Sequence, residues 1–219
     1  MNRSAAVLGA TIGFALLYLG ATIALGTPPD VHDNGIAVWR WFAQNGGHVR
    51  TWAWLLTLSA PLFALYAAFV RQHLPVGLRD LWLIGAVAFI AETAVQSWLW
   101  LALAFHSHSV NPDTSRTLLD VANYWGPVLT STTLMMLVPV VFAALGPEQL
   151  LPRWLGYLAA VAAAEQLVET LTIFGKSGFM APGGPMNVFL GAGLVAVTLV
   201  ALGVVVAHRE RVPAPLIPQ

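Results

Sequence analysis

Residues 81–100 read LWLIGAVAFIAETAVQSWLW, and Glu92 is the only charged residue among them. A helix rises 1.5 Å per residue, so such a run is about 30 Å long, the thickness of a bilayer's hydrocarbon core. The length points to a membrane span. The acid points to something inside, because a lone carboxylate facing lipid costs about 3 kcal/mol on insertion scales. A second run, WLGYLAAVAAAEQLVETLTIF at 154–174, repeats the arrangement with Glu165 and Glu169.

The rest of the chain agrees with a membrane reading. Of 219 residues, 58% are hydrophobic and 9% charged, and mean hydropathy is +0.72. Soluble domains carry roughly a quarter charged residues, so this chain has no polar coat to face water. Formal net charge is zero, and no basic stripe exists of the kind nucleic-acid binding requires. There is no cysteine, which excludes disulfides, thiolate metal sites and cysteine nucleophiles.

Six spans follow, roughly 5–26, 51–70, 81–105, 117–145, 154–174 and 188–207. The expected fold is all-α: a polytopic six-helix membrane bundle forming one domain over 1–207, with a proline-rich tail at 208–219. The first span begins after Met-Asn-Arg and is longer than a signal-peptide core, so it reads as a retained helix. Within the link 27–50, Ile36, Trp39, Trp41 and Phe42 suggest a short amphipathic turn on the membrane surface. With the N-terminus inside, Arg3, Arg71, Arg79, Arg153, Arg209 and Arg211 lie inside, and Arg40, Arg50, Arg116 and Lys176 outside. Positive charge favours the inner side, so both termini are expected on the cytoplasmic side of the cell membrane.

Spans 2–3 and 4–5 also resemble each other. PLFALYAAFVRQHLPVGLRDLWLIGAVAFIAETAVQ aligns with PVVFAALGPEQLLPRWLGYLAAVAAAEQLVE, matching Pro61 to Pro139, Leu74-Pro75 to Leu151-Pro152, Arg79 to Arg153 and Glu92 to Glu165. Both units run the same way, which implies a pseudo-twofold along the membrane normal. It would set Glu92 and Glu165 at one depth.

Residues Glu92, Gln96 and Trp100 recur at i, i+4 and i+8 and share one helix face. Glu165 and Glu169 share another, with Gln166 beside them. The fourth span adds Thr130, Ser131, Thr132 and Thr133, and no Lys or Arg lies within any span. Acids without a basic partner must share protons, face water, or bind a cation. Glu92, Gln96, Trp100, Glu165, Gln166 and Glu169 are therefore the candidate ligand- or proton-binding residues; no catalytic assignment follows.

No cofactor or metal is expected. His106 and His108 are the residues nearest to a metal site, yet H-x-H in a loop is usually an accident, and no mid-span histidine could hold haem. Ala5, Gly9 and Gly13 form a small-residue stripe suited to close helix contact. The loop GKSGFMAPGGPMN either reaches over the outer mouth or simply connects two helices.

LPRWLGYLAAVAAAEQLVE followed by GKSGFMAPGGPMNVFLGAGLVAV, with AFIAETAV in the third span, resembles a broad group of bacterial six-helix integral membrane proteins, a domain of unknown function, over roughly residues 51–207. The resemblance implies a six-helix bundle and no activity. ETAVQSWLWL and DTSRTLLDVANYWGPV also resemble the sterol-isomerase and sigma-2-receptor-like fold, whose members hold lipophilic amines or carbocation-like intermediates against membrane acids. Helix order and number depart from that fold.

The expectation is an acid-lined cavity between the third and fifth spans, binding or transporting a small cationic or amphiphilic molecule with proton or cation coupling. Two alternatives stay open. One is an accessory or scaffold subunit of a larger membrane complex, or a homo-oligomer. The other is a membrane enzyme using the paired glutamates as acid and base on a lipid or isoprenoid. Membrane lipid is the expected surrounding partner.

Overall fold

A computed structural model describes residues 2–176 and 178–211. Seven α-helices run α1 Arg3–Leu25, α2 Gly35–Arg71, α3 Arg79–Phe105, α4 Pro112–Asn123, α5 Trp125–Leu145, α6 Arg153–Glu169 and α7 Ala192–Arg209, and no strand occurs among the described residues. Six stretches are long and apolar enough to cross a membrane: Arg3–Leu25, Gly35–Arg71, Val76–Phe105, Pro112–Leu145, Arg153–Phe174 and Met186–Arg209. Of the tail, residues 212–219 lie outside the described residues.

The helices start where the sequence supplies caps. Asn34 accepts from the Ala37 N–H at 3.0 Å and opens α2; Asn111 accepts from the Thr114 N–H at 2.8 Å and opens α4, with Pro112 in the first turn. Side-chain capping of this kind satisfies N–H groups that the first turn leaves unpaired. Two boundaries differ from the sequence reading. Residues 35–50 form no separate surface turn. They continue α2 into a single helix of 37 residues, about 55 Å long. The stretch before residue 117 is also helical, and the chain breaks at Tyr124, where α4 ends and α5 begins.

The packing pattern is a closed ring. Each helix in the order α1, α2, α3, α5, α6, α7 packs against the next, and α7 returns to α1. Where the start of α1 meets the end of α7, the Ser4 hydroxyl donates to the Ala207 carbonyl at 2.7 Å and Arg211 Nε donates to Ser4 Oγ at 2.9 Å. There Glu210 also meets Arg3 at 3.3 Å and His73 at 3.5 Å. Close approach of neighbours depends on small residues. A methyl at Gly85 of α3 would stand 2.8 Å from the Met135 Cβ of α5, and one at Gly156 of α6 would stand 2.6 Å from the Ala144 Cβ. Of the small-residue stripe on α1, Gly13 abuts Leu62 of α2, while nothing lies within 4 Å of a Cβ at Gly9.

Two apolar cores result. The larger fills the ring, around Phe63, Tyr66, Trp82, Met136, Leu155 and Leu202. Tyr66 donates its hydroxyl to the Leu199 carbonyl at 2.8 Å, and Trp82 its indole N–H to the Ala67 carbonyl at 3.1 Å, so both aromatic polar tips are paired as burial requires. The second core sits beyond the ring at the far end, where α4 packs on the N-terminal half of α2 and on α3 around Phe42, Trp52, Trp100 and Leu119. Arg116 fastens this tier: it donates to the carbonyls of Asp30 at 2.9 Å and Asp33 at 3.1 Å and pairs with Asp120.

Candidate functional site: a bridged pair of carboxylates inside the helix ring

Helix α6 keeps regular geometry only to Glu169; residues Thr170–Phe174 tighten into a 3₁₀ turn. On the facing side, α7 is preceded by a π-helical turn, Met186–Gly191. Such turns widen a helix locally and recur at functional sites. Here the two irregular stretches bring Glu169 and Asn187 together. Asn187 Nδ2 donates to Glu169 Oε1 at 2.6 Å and to Thr172 Oγ1 at 3.3 Å. The Asn187 amide is held by its other end, since Oδ1 accepts the Gly183 N–H at 2.9 Å.

Gln166 completes the arrangement. Its Nε2 donates to Glu165 Oε2 at 2.9 Å and to Glu169 Oε2 at 2.5 Å, so one amide nitrogen bridges two carboxylates. Its Oε1 accepts from the Thr133 hydroxyl of α5, which fixes the amide orientation. Glu169, Gln166, Asn187, Thr133 and Thr172 are all buried. Glu165 Oε1 is buried too and has no hydrogen-bond partner among the described residues. Glycine at 191 makes the carboxylate's position possible: a methyl there would overlap Glu169 Oε2.

This cluster borders a cavity of about 50 Å³ at the centre of the ring, lined by Gln166, Glu169, Asn187 and Thr133 on one side and by Phe14, Tyr18 and Phe89 on the other. A space of that size holds one or two waters, whose polar partners lie on the Gln166, Glu169, Asn187 and Thr133 side of a wall that is otherwise mainly apolar. The same three aromatics also wall a larger cavity of about 280 Å³ between α1, α2 and α3. Phe14, Phe63 and Phe89 stack in sequence, with ring centroids 4.7 and 5.2 Å apart, and Tyr18 lies 6.5 Å from Phe89.

The six residues singled out from sequence separate into three places. Glu165, Gln166 and Glu169 converge on the central cluster. Glu92 stands apart on α3, half-buried, where Oε2 accepts from Thr132 of α5 at 3.1 Å. Thr132 and Thr133 are neighbours on one helix, so their side chains diverge by about 100°. Glu92 and the Gln166 cluster thus approach α5 from different directions, and neither Glu92 nor Glu165 lines either cavity. Helix α5 packs against both α3 and α6, where the sequence reading places a cavity between those two helices. Gln96 is half-buried and lines neither cavity. Trp100 is 3% exposed in the far-end core, within 6.1 Å of Trp41, 5.7 Å of Phe42 and 5.2 Å of Trp52 by ring centroids, with its indole N–H unpaired. It packs there as core. His106 and His108 join no group of three potential ligands among the described residues.

Sequence reasoning set Thr133 among the polar residues near the acids without pairing it to Gln166, and it missed Asn187, the contact at Gly191 and the aromatic wall. The one available signal was the asparagine directly before the apolar run VFLGAGLVAV, which reads more naturally as a helix cap than as a partner for a carboxylate eighteen residues earlier.

Comparison of the chain with protein-family models, with curated proteins and with solved structures finds no match.

Proposed function

We propose that the protein is a multi-pass membrane protein that binds a small cationic or amphiphilic molecule at the Glu165–Gln166–Glu169–Asn187 cluster, with proton or cation exchange at the two carboxylates. The carrying observation is the bridging amide: one Gln166 nitrogen serves both carboxylates, and the buried Glu165 Oε1 keeps an open acceptor. Two amide donors do not neutralise two carboxylates, and among the described residues no Lys or Arg pairs with either. The site therefore favours a positive ligand. The end of α6 at Glu169 acts in the same direction, since a helix C-terminus carries partial negative charge and half-helix ends of this kind serve cations in membrane transporters.

Membrane insertion is supported by the large apolar side chains on the outside of the ring: Phe174, Phe189 and Ile23 are 80, 75 and 71% exposed. Such a surface suits hydrocarbon and not water. The start of α1 and the end of α7 share one end of the bundle, and the larger number of arginines counted to that side supports a cytoplasmic orientation for it. We read the hairpins α2–α3 and α5–α6 as two copies of one unit, meeting where Thr132 of α5 donates to Glu92 of α3. The divergence of Glu92 from Glu165 favours binding or transport over acid–base catalysis by that pair, which needs both groups at one reacting centre.

The test is binding of a fluorescent alkylammonium probe to the purified chain across pH. The expected result is saturable, pH-dependent binding that is lost in Glu165→Gln/Glu169→Gln and retained in Glu92→Gln. Unchanged affinity in the Glu165/Glu169 double variant refutes the proposal.

A further inference from the structure

The larger cavity has a polar lining of one kind. Thr57 donates to the Ala53 carbonyl at 2.9 Å, and Ser59, Thr93 and Ser97 donate to Leu56, Phe89 and Thr93 carbonyls at 2.8 Å each. All four hydroxyls line the cavity. With each proton committed to its own helix, they present only lone pairs. Pro61 has no N–H, so the Thr57 carbonyl lacks its helical donor and adds an acceptor in the same turn. Two donors stand against them: the Tyr18 hydroxyl and the Trp98 indole N–H belong to residues that line the cavity, and neither makes a hydrogen bond with the described residues.

That pattern selects a ligand. No acidic or basic side chain lines this cavity, so a charged group would find no compensation there. A carboxylate would meet a majority of lone pairs and no positive charge. A hydrocarbon chain would leave the acceptors unused. A neutral hydroxyl both donates and accepts, and meets its two kinds of partner here. The rest of the wall is apolar, with Leu56, Phe63, Ile90 and Leu101 among it. At about 280 Å³ the space exceeds the 150 Å³ or so of apolar cavity that takes up benzene. Trp98, 67% exposed, and the exposed Thr57 form the rim, flanked by exposed Leu58 and Val95. The mouth therefore opens on the apolar flank of the ring, where hydrocarbon lies if the helices span a membrane.

We propose that this cavity is a second binding site, for a membrane-soluble long-chain alcohol, reached from the lipid side between α2 and α3 and held by its hydroxyl against Thr93 and Ser97. The site shares only the Phe14, Tyr18 and Phe89 wall with the carboxylate cluster and stands without it.

The experiment uses the full chain in lipid nanodiscs and reads quenching of Trp98, isolated by subtracting the Trp98→Phe signal. Bromoundecanol, bromoundecane and bromoundecanoate are compared as quenchers. Bromoundecanol is expected to saturate at the lowest concentration, by about fivefold for each hydrogen bond made. Thr93→Val/Ser97→Ala should bring it level with bromoundecane, Thr93→Ser should keep its preference, and Ala60→Phe, which fills the cavity, should abolish saturable quenching by all three. Equal quenching by alcohol and alkane in the wild type, tighter binding of the carboxylate, or a preference that survives Thr93→Val/Ser97→Ala overturns the proposal.

Discussion

Replacing Gly191 with alanine should reverse the usual sign of a helical glycine substitution. Within a helix, Gly→Ala ordinarily stabilises by about 0.5–1 kcal/mol, because glycine loses the most backbone freedom on folding. At Gly191 the added methyl would overlap Glu169 Oε2 and stand 2.9 Å from its Cδ and 3.0 Å from Gln166 Nε2. The carboxylate must turn away, and it cannot do so while keeping both the 2.5 Å bond from Gln166 and the 2.6 Å bond from Asn187. A hydrogen bond to a charged group contributes about 1.5–3 kcal/mol. Loss of one, less the backbone gain, leaves Gly191→Ala destabilised by roughly 0.5–2.5 kcal/mol. Gly193 supplies the control: nothing lies within 4 Å of a Cβ there, so Gly193→Ala should stabilise by about 0.5–1 kcal/mol. Unfolding of both variants in detergent micelles reads the difference. A third arm removes the obstruction: in a Glu169→Ala background, Gly191→Ala should be neutral or stabilising, and the cycle should show coupling of at least about 1 kcal/mol. If Gly191→Ala is as stable as Gly193→Ala, the carboxylate does not occupy the place described and the cluster reasoning fails.

Other expectations follow from the same contacts. Asn187→Ala should destabilise by about 1.5–3 kcal/mol in the same unfolding assay, with Asn187→Asp worse, since it sets a third carboxylate against Glu169. Trp100→Ala should cost about 3–5 kcal/mol, whereas Trp100→Phe should cost far less by removing an unpaired buried N–H; equal losses would argue against the aromatic core at the far end. Arg116→Ala should raise hydrogen exchange in residues 27–34 and at the start of α4 while leaving α5–α7 protected, because its carbonyl contacts at Asp30 and Asp33 tie that link down. Glu92→Gln should change stability by less than about 1 kcal/mol, as an amide can still accept from Thr132.

The run 81–100 and its counterpart at 154–174 made the helical class and the six long apolar stretches legible, because span length and the absence of charge are properties of single segments. The far-end tier was harder to see. Residues 35–50 mix polar and aromatic residues and 112–123 mix polar and aliphatic ones, patterns that suit a surface turn as well as a helix. Only the mutual burial of Phe42, Trp52, Trp100 and Leu119 decides it, and that contact joins segments far apart in the chain. The tryptophans illustrate the point: Trp54 and Trp98 are 61 and 67% exposed, as membrane-surface anchors would be, while Trp52 and Trp100 are 6 and 3% exposed core. In the site, Glu165, Gln166 and Glu169 share one stretch of helix and were readable by spacing. Their partners were not, since Asn187 reaches Glu169 through a π turn and Thr133 reaches Gln166 from the ring neighbour. Helical spacing describes faces of one helix and says nothing of which helix stands opposite.

The seam between α1 and α7 sets the order in which the molecule can be completed. Synthesis proceeds from the N-terminus, so α1 through α6 exist before the segment that joins them into a circle. Until then the Glu169 carboxylate has only Gln166 to hold it, and the wall later supplied by Asn187 and Gly191 is open. Of the ring helices, the last to leave the ribosome is the one that encloses the acids. Truncation before residue 186 should therefore yield a chain whose first helices pack normally but whose two glutamates stand uncovered, a nascent species that quality-control proteases would recognise by exposed charge at membrane depth.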